Sequence, residues 1–281
     1  MKRAAASKLT ITGKNVEIYN NVARCSLYGS GGGIYVSSLA VLTVDGTDTA
    51  VRGNSAANGG GIYIHFNAGN VSISNATITD NKASATGNTS YGHGGGIYSQ
   101  RGVTVRNVTI TGNNSTFAGG GIYGKGAITL TDATVTDNNR YDVYYGGVEG
   151  TTSNSKLTVS GSVKAGYYAN FDWKMPILVS GALSEDSVIR VGVREGIKPN
   201  AGGSLLIAEP ASGVTLSAEN FKADAADSVT SLGEDGKVYL SLGVNELGYY
   251  DDQGFYDSYC KAIDDIRRIQ PHAVIYIQNL I

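Results

Sequence analysis

Arg52-Gly53-Asn54-Ser55-Ala56-Ala57-Asn58-Gly59-Gly60-Gly61-Ile62-Tyr63 decides the fold, because its last five residues recur along the chain. Gly-Gly-Gly-Ile-Tyr stands at 31–35, 59–63, 94–98 and 119–123, with a worn copy at Gly146-Gly147-Val148-Glu149. The inward candidates Ile34, Ile62, Ile97, Ile122 and Val148 are 28, 35, 25 and 26 residues apart. Self-similarity at such a period is the signature of a repeat architecture, in which each unit buries its apolar face against its neighbours.

Two further elements recur between these copies. One reads apolar–Thr/Ser–apolar: Leu9-Thr10-Ile11, Leu42-Thr43-Val44, Val71-Ser72-Ile73, Val103-Thr104-Val105, Ile128-Thr129-Leu130 and Leu157-Thr158-Val159. The other is centred on Ile18, Val51, Ile78, Ile110, Val135 and Val163. In its first five copies an Asn follows three residues later, at Asn21, Asn54, Asn81, Asn113 and Asn138. Alternation of apolar and polar residues puts one face inward, so each repeat predicts three short strands separated by Gly- or Asn-bearing turns. Three such strands enclose a narrow core, and successive coils stack it into apolar ladders. The expected fold is all-β: a right-handed parallel β-helix of about six coils, since parallel crossovers are overwhelmingly right-handed. Asn tolerates left-handed backbone and pairs with its like in the next coil, while the glycines leave room at the corner. Differences in repeat length are expected to fall in projecting loops such as 82–93.

Composition agrees. The 281 residues include 39 Gly and 18 Tyr, with charged residues at 16%, which favours strands and tight turns over long helices. The net charge of −2 and the absence of a basic block argue against a nucleic-acid surface. No apolar run approaches a membrane span, so no membrane insertion by this segment is expected. The start, Met1-Lys2-Arg3-Ala4, has no hydrophobic stretch behind it. An exported parent would therefore have this chain as one part of a longer protein. Cys25 and Cys260 read as two unrelated thiols.

These repeats resemble the polymorphic outer-membrane protein repeat and the wider group of adhesin-like β-helix proteins of bacterial surfaces. The resemblance rests on Arg52-Gly53-Asn54-Ser55-Ala56 followed by the glycine run, and covers roughly residues 7 to 165. Two departures are that Ile or Val replaces the aromatic that commonly precedes the Asn, and that no β-barrel translocator is present. The resemblance implies an extracellular or cell-surface location, and a glycan or a host or neighbouring-cell protein as partner. It also implies that a β-rich segment, 166–243, closes the helix. There Pro176–Leu183, Val188–Val193, Leu205–Ala208 and 237–240 read as strands. Residues 244–281 read as a short α/β tail, either the start of a further domain or an unrelated junction, with a helical stripe over 257–269 and a strand over 272–281.

An enzyme is the competing class, since pectate lyases and polygalacturonases are parallel β-helices. Asp80 and Asp137 occupy equivalent positions two coils apart, about 10 Å at one strand spacing per coil, beyond the range of an inverting carboxylate pair. Gly92-His93-Gly94 resembles the polygalacturonase histidine motif without its acidic and basic partners, and Asp251-Asp252 falls in the tail. Arg101 and Arg106 have no acidic neighbours in the repeat, and His65, His93 and His272 are too scattered for a metal triad. The glycine runs lack the Lys-Ser/Thr and the helix of a phosphate loop. No catalytic residue, cofactor or metal is therefore assigned. Two outer stripes remain. Tyr35, Tyr63, Tyr98 and Tyr123 alternate with the inward Ile residues and are expected to stack on one outer face as candidate ligand-binding residues. Thr77/Thr79, Thr109/Thr111 and Thr134/Thr136 form a second array, resembling ice-binding solenoids, but Glu17/Tyr19 and Ala50/Arg52 break it in the earlier coils. The expectation is a non-catalytic, adhesin-like binding module, with a polysaccharide-active enzyme or a pure spacer as alternatives.

Overall fold

A computed structural model of the chain describes residues 7–24, 29–85, 91–146, 157–169, 176–193, 199, 203–226, 228–242, 260–261 and 263–268. The chain folds as a right-handed parallel β-helix of about six coils. Its long strands are β4 (Val41–Arg52), β7 (Val71–Thr79), β10 (Val103–Thr111), β13 (Ile128–Thr136) and β15 (Leu157–Ala169), stacked in parallel on β1 (Lys8–Ile11) and β2 (Glu17–Tyr19). Strands β4, β7, β10 and β13 each join two of the three expected pieces, and β15 runs on into the third. In β7 the inward residues are Val71, Ile73, Ala76 and Ile78, so the alternation slips by one at Asn75. Asn75 has φ 53°, and Asp48, Asn107 and Asp132 share this left-handed conformation in the other coils. One such residue turns the strand onto a new face without breaking it.

The remaining face is built by β3 (Ile34–Val36), β6 (Ile62–Ile64), β9 (Ile97–Ser99), β12 (Ile122–Gly124) and β14 (Val143–Tyr145). Their register aligns Ile34, Ile62, Ile97, Ile122 and Val143, with the last four fully buried. The fifth inward residue is thus Val143, not Val148, which lies outside the described residues. Burying each such side chain stabilises the stack by about 1.5–3 kcal/mol. At the Asn corner, β5 (Ser55–Ala56), β8 (Lys82–Ala83) and β11 (Asn114–Ser115) form a small separate parallel sheet. Lys82 and Ala83, expected to open a projecting loop over 82–93, are therefore part of the stack.

Parallel stacking does not stop at residue 165. Strands β16 (Ile177–Leu183) and β17 (Val188–Val193) pair in parallel with β15, and β18 (Ser204–Pro210) and β19 (Phe221–Ala223) pair in parallel with them. The end is then closed by antiparallel pairing of β18 with β21 (Val238–Leu242) and of β21 with β20 (Ser228–Leu232). Antiparallel strands cover an edge that parallel coils would leave open. Residues 260–261 and 263–268 are helical, and no helix among the described residues is long and apolar enough to cross a membrane. The strand expected over 272–281 and Cys25 lie outside the described residues.

Two side-chain ladders run along the stack in opposite directions. In the buried one, Asn21 Nδ2 donates to Asn54 Oδ1, Asn54 to Asn81, Asn81 to Asn113 and Asn113 to Asn138, at 2.9–3.0 Å. The main chain dictates each amide's orientation. Asn81 Oδ1 must meet the Asn54 N–H at 3.0 Å, while its Nδ2 must meet the Val51 carbonyl at 2.8 Å. The exposed ladder lies at the bend: Asn107 Nδ2 donates to Asn75 Oδ1, and Asn75 Nδ2 to Asp45 Oδ1.

Candidate functional site

The alternation in β3, β6, β9, β12 and β14 that drives Ile and Val inward sends the intervening residue outward. Tyr35, Tyr63, Tyr98 and Tyr123 are in register and stack, with ring centroids 5.0, 5.1 and 5.2 Å apart and planes within 12° of parallel. The column continues through two tyrosines that the repeat motif does not mark, Tyr144 and Tyr168, at 5.4 and 5.5 Å. Tyr141 stacks beside its end, 4.2 Å from Tyr168. Neither Tyr144 nor Tyr168 follows a glycine run, so only the strand register reveals them.

The face is not uniformly open. Tyr35 is 51% exposed, whereas Tyr98 and Tyr123 are 4% and 7% exposed and form a small apolar cluster with Ala118. The His93 ring lies 4.4 Å from Tyr123 and 5.9 Å from Phe117, so the corner loops roof the middle of the column. Alternation distinguishes inside from outside of the coil but is blind to such a roof. Tyr63 is half-buried, and its hydroxyl donates to Gln100 Oε1 at 2.9 Å. Burial raises the phenol pKa of Tyr63, Tyr123 and Tyr167, because the phenolate would lose its water. The folded state thus holds these protons more tightly than the unfolded chain, whose phenols titrate near ~10. Stability present below that pH is expected to fall as the pH rises above it. A phenolate absorbance titration should show these three rings ionising only as the far-ultraviolet signal is lost, whereas ionisation while still folded would refute their burial.

At the far end of the column, the coil between Asn138 and Val143 is short and places Asp142 where the next ladder Asn would stand. Asp142 Oδ1 accepts from the Asn138 N–H and Nδ2 at 3.0 and 3.1 Å, and Oδ2 from the Gly166 N–H at 3.2 Å. Arg190 Nη2 lies 3.6 Å from Oδ2. A carboxylate has only acceptors, so it ends a chain of donated hydrogen bonds. Desolvation raises the Asp142 pKa, opposed by the Asn138 and Gly166 hydrogen bonds and by Arg190. A raised carboxyl pKa means that stability is lost as pH rises through it. Wild type is therefore expected to gain on Asp142→Asn as the solution is acidified towards pH ~4. Paired urea midpoints across that range check this; Asp186 and Asp235, whose pKa values are lowered, act alike in both proteins and cancel. A difference that does not vary with pH would refute it.

These residues, with Tyr141, Tyr167, Gly192 and Asp224, line a cavity of about 160 Å³. Asp80 and Asp137, weighed above as a catalytic pair, are corner residues at φ 57° and 58°, and Asp80 Oδ1 folds over the space beside Gly112. The Thr arrays are in register across β7, β10 and β13, and the next coil continues Thr134 as Lys164. Arg52, in the Thr79 register, pairs instead with Glu17 at 3.1 Å. The chain matches no protein-family model, no curated protein and no solved structure.

Proposed function

We propose that the chain is a non-catalytic, adhesin-like binding module of a bacterial surface protein, acting outside the cell and holding glycan against its outer aromatic face. The observation that carries this reading is the column of six stacked tyrosines from Tyr35 to Tyr168, presented on a rigid stack and open at Tyr35. Aromatic rings bind the C–H faces of sugar rings. The inner rings of this column cover one another's faces, so Tyr35 is the exposed member that meets the sugar, and a ring held by a β-stack loses little entropy on binding. The corner loops beside the column supply polar contacts, as binding loops on rigid scaffolds commonly do.

A glycan array run on the chain beside Tyr35→Ala tests the reading. Binding that falls in the variant, with unchanged thermal stability, supports recognition by the column. Absence of any glycan signal would overturn it in favour of a protein contact or a pure spacer, which crosslinking to surface proteins of the target cell would separate.

A further inference from the structure

The cavity at the downstream end of the column has a construction that the structural roles of its residues leave unexplained. Asp142 lies at its base, its side chain 7% exposed, while the Arg190 side chain at its rim is 54% exposed. Asp224 enters from the next coil, with Oδ2 3.4 Å from where a Cβ on Gly192 would stand. Gly166 and Gly192 leave the floor bare: a Cβ on Gly166 would come within 2.8 Å of Asp142 Oδ2, and one on Gly192 within 2.9 Å of the Tyr168 ring. The wall is Tyr141, 42% exposed and stacked on Tyr168 at 17° between planes. Tyr141 and Arg140 are consecutive residues in left-handed backbone, at φ 74° and 52°. Among the described residues every other non-glycine residue at positive φ is Asn or Asp, except Leu39. Placing an aromatic there costs about 1–2 kcal/mol, and such strain accumulates at ligand sites.

The charges select the guest. Two carboxylates and one guanidinium line one small space, so a cation meets Arg190 and an anion meets Asp142 and Asp224. A neutral polyol meets neither obstacle: its hydroxyls donate to the carboxylates and accept from Arg190, with Asn138 able to do either. An apolar ring face then lies on Tyr141. The volume is below the range of typical drug-sized pockets, about 300–1,000 Å³, which restricts the guest to a single ring. We propose that this cavity is a binding site for one neutral pyranose ring, an inference that rests on the glycan reading above and gives it a specific site.

The test is ligand-detected NMR and calorimetry with the whole chain and methyl glucoside, galactoside, mannoside and N-acetylglucosaminide, with glucuronate and glucosamine as charged counterparts. At least one neutral pyranoside is expected to bind, and more tightly than either charged sugar. Arg190→Ala and Asp224→Ala each remove a charged hydrogen-bond partner and are expected to weaken binding by about tenfold or more. Both positions are exposed, and near-ultraviolet circular dichroism of the tyrosine column checks that each variant keeps its fold. Failure of every neutral pyranoside to bind overturns the proposal, as does binding that survives both substitutions or favours a charged sugar. Array binding that is lost in Tyr35→Ala but survives Arg190→Ala and Asp224→Ala would overturn the cavity while leaving the outer-face reading in place.

Discussion

Gly95→Ala is expected to cost at least about 3 kcal/mol and to reduce the cooperativity of unfolding, because the methyl group has nowhere to go. Its Cβ would lie 2.5 Å from both the Asn114 and the Gly120 carbonyl oxygens and 2.7 Å from the Asn114 nitrogen. All three are backbone atoms of the next coil, and they cannot swing aside as a side-chain end can. The neighbouring glycines serve different ends. Gly94 holds φ +66°, while a Cβ on Gly96 would press against the Gly121 carbonyl at 2.6 Å. Only the middle glycine meets the corner of the next coil on two sides. Gly102→Ala is the control: its Cβ would meet nothing nearer than 3.4 Å and its φ is not positive, so a change within about 1 kcal/mol is expected. Urea midpoints of the two variants against wild type decide the matter. Equal midpoints would mean that the coils are not packed as closely as described.

Asn81→Ala should be comparably damaging for a different reason. The side chain is fully buried and makes four hydrogen bonds. Its Oδ1 accepts from the Asn54 N–H and Nδ2, and its Nδ2 donates to the Val51 carbonyl and Asn113 Oδ1. Removing it strands donors in one coil and acceptors in two. At about 1–3 kcal/mol for each group left unpaired, partly relieved by relaxation, a loss of about 3–5 kcal/mol is expected. Amide exchange at Asn54, whose N–H loses its acceptor, should accelerate far more than exchange in the distant strand β17. Asn81→Asp preserves the acceptor but not the donors, so its destabilisation should deepen as the pH rises and the carboxylate ionises. If Asn81→Ala costs less than about 1 kcal/mol, the ladder is an ornament of the fold rather than a support.

Much of this was legible before any coordinates. The period-two alternation around Ile62, Ile78 and Val105 states which side chains go inward, and the recurring Asn states where the corner lies. What escaped has identifiable causes. Val143-Tyr144-Tyr145 carries no glycine run, so motif spacing favoured Val148, whereas the register follows side-chain alternation. The fusion of two expected strands into one depends on a single left-handed residue such as Asn75, which composition does not distinguish from a turn. The roof over Tyr98 and Tyr123 comes from His93 and Phe117, beside the glycine runs at positions where the residue type does not recur from coil to coil. The cavity unites Asp142, Arg190 and Asp224 from coils whose sequences are not alike, and only parallel stacking brings them together.

The polarity of the buried amide ladder has a consequence for how such a chain lengthens. Asn54, Asn81 and Asn113 each receive from the coil before and give to the coil after, so a duplicated coil inserted between Asn21 and Asn138 reconnects the line on both sides. Asp142 receives but has no proton to give, and an amide coil placed beyond it would find no donor waiting. The carboxylate acts as a chain terminator written in a side chain. Gene duplication can therefore change the reach of this protein from within while its closing segment stays as it is.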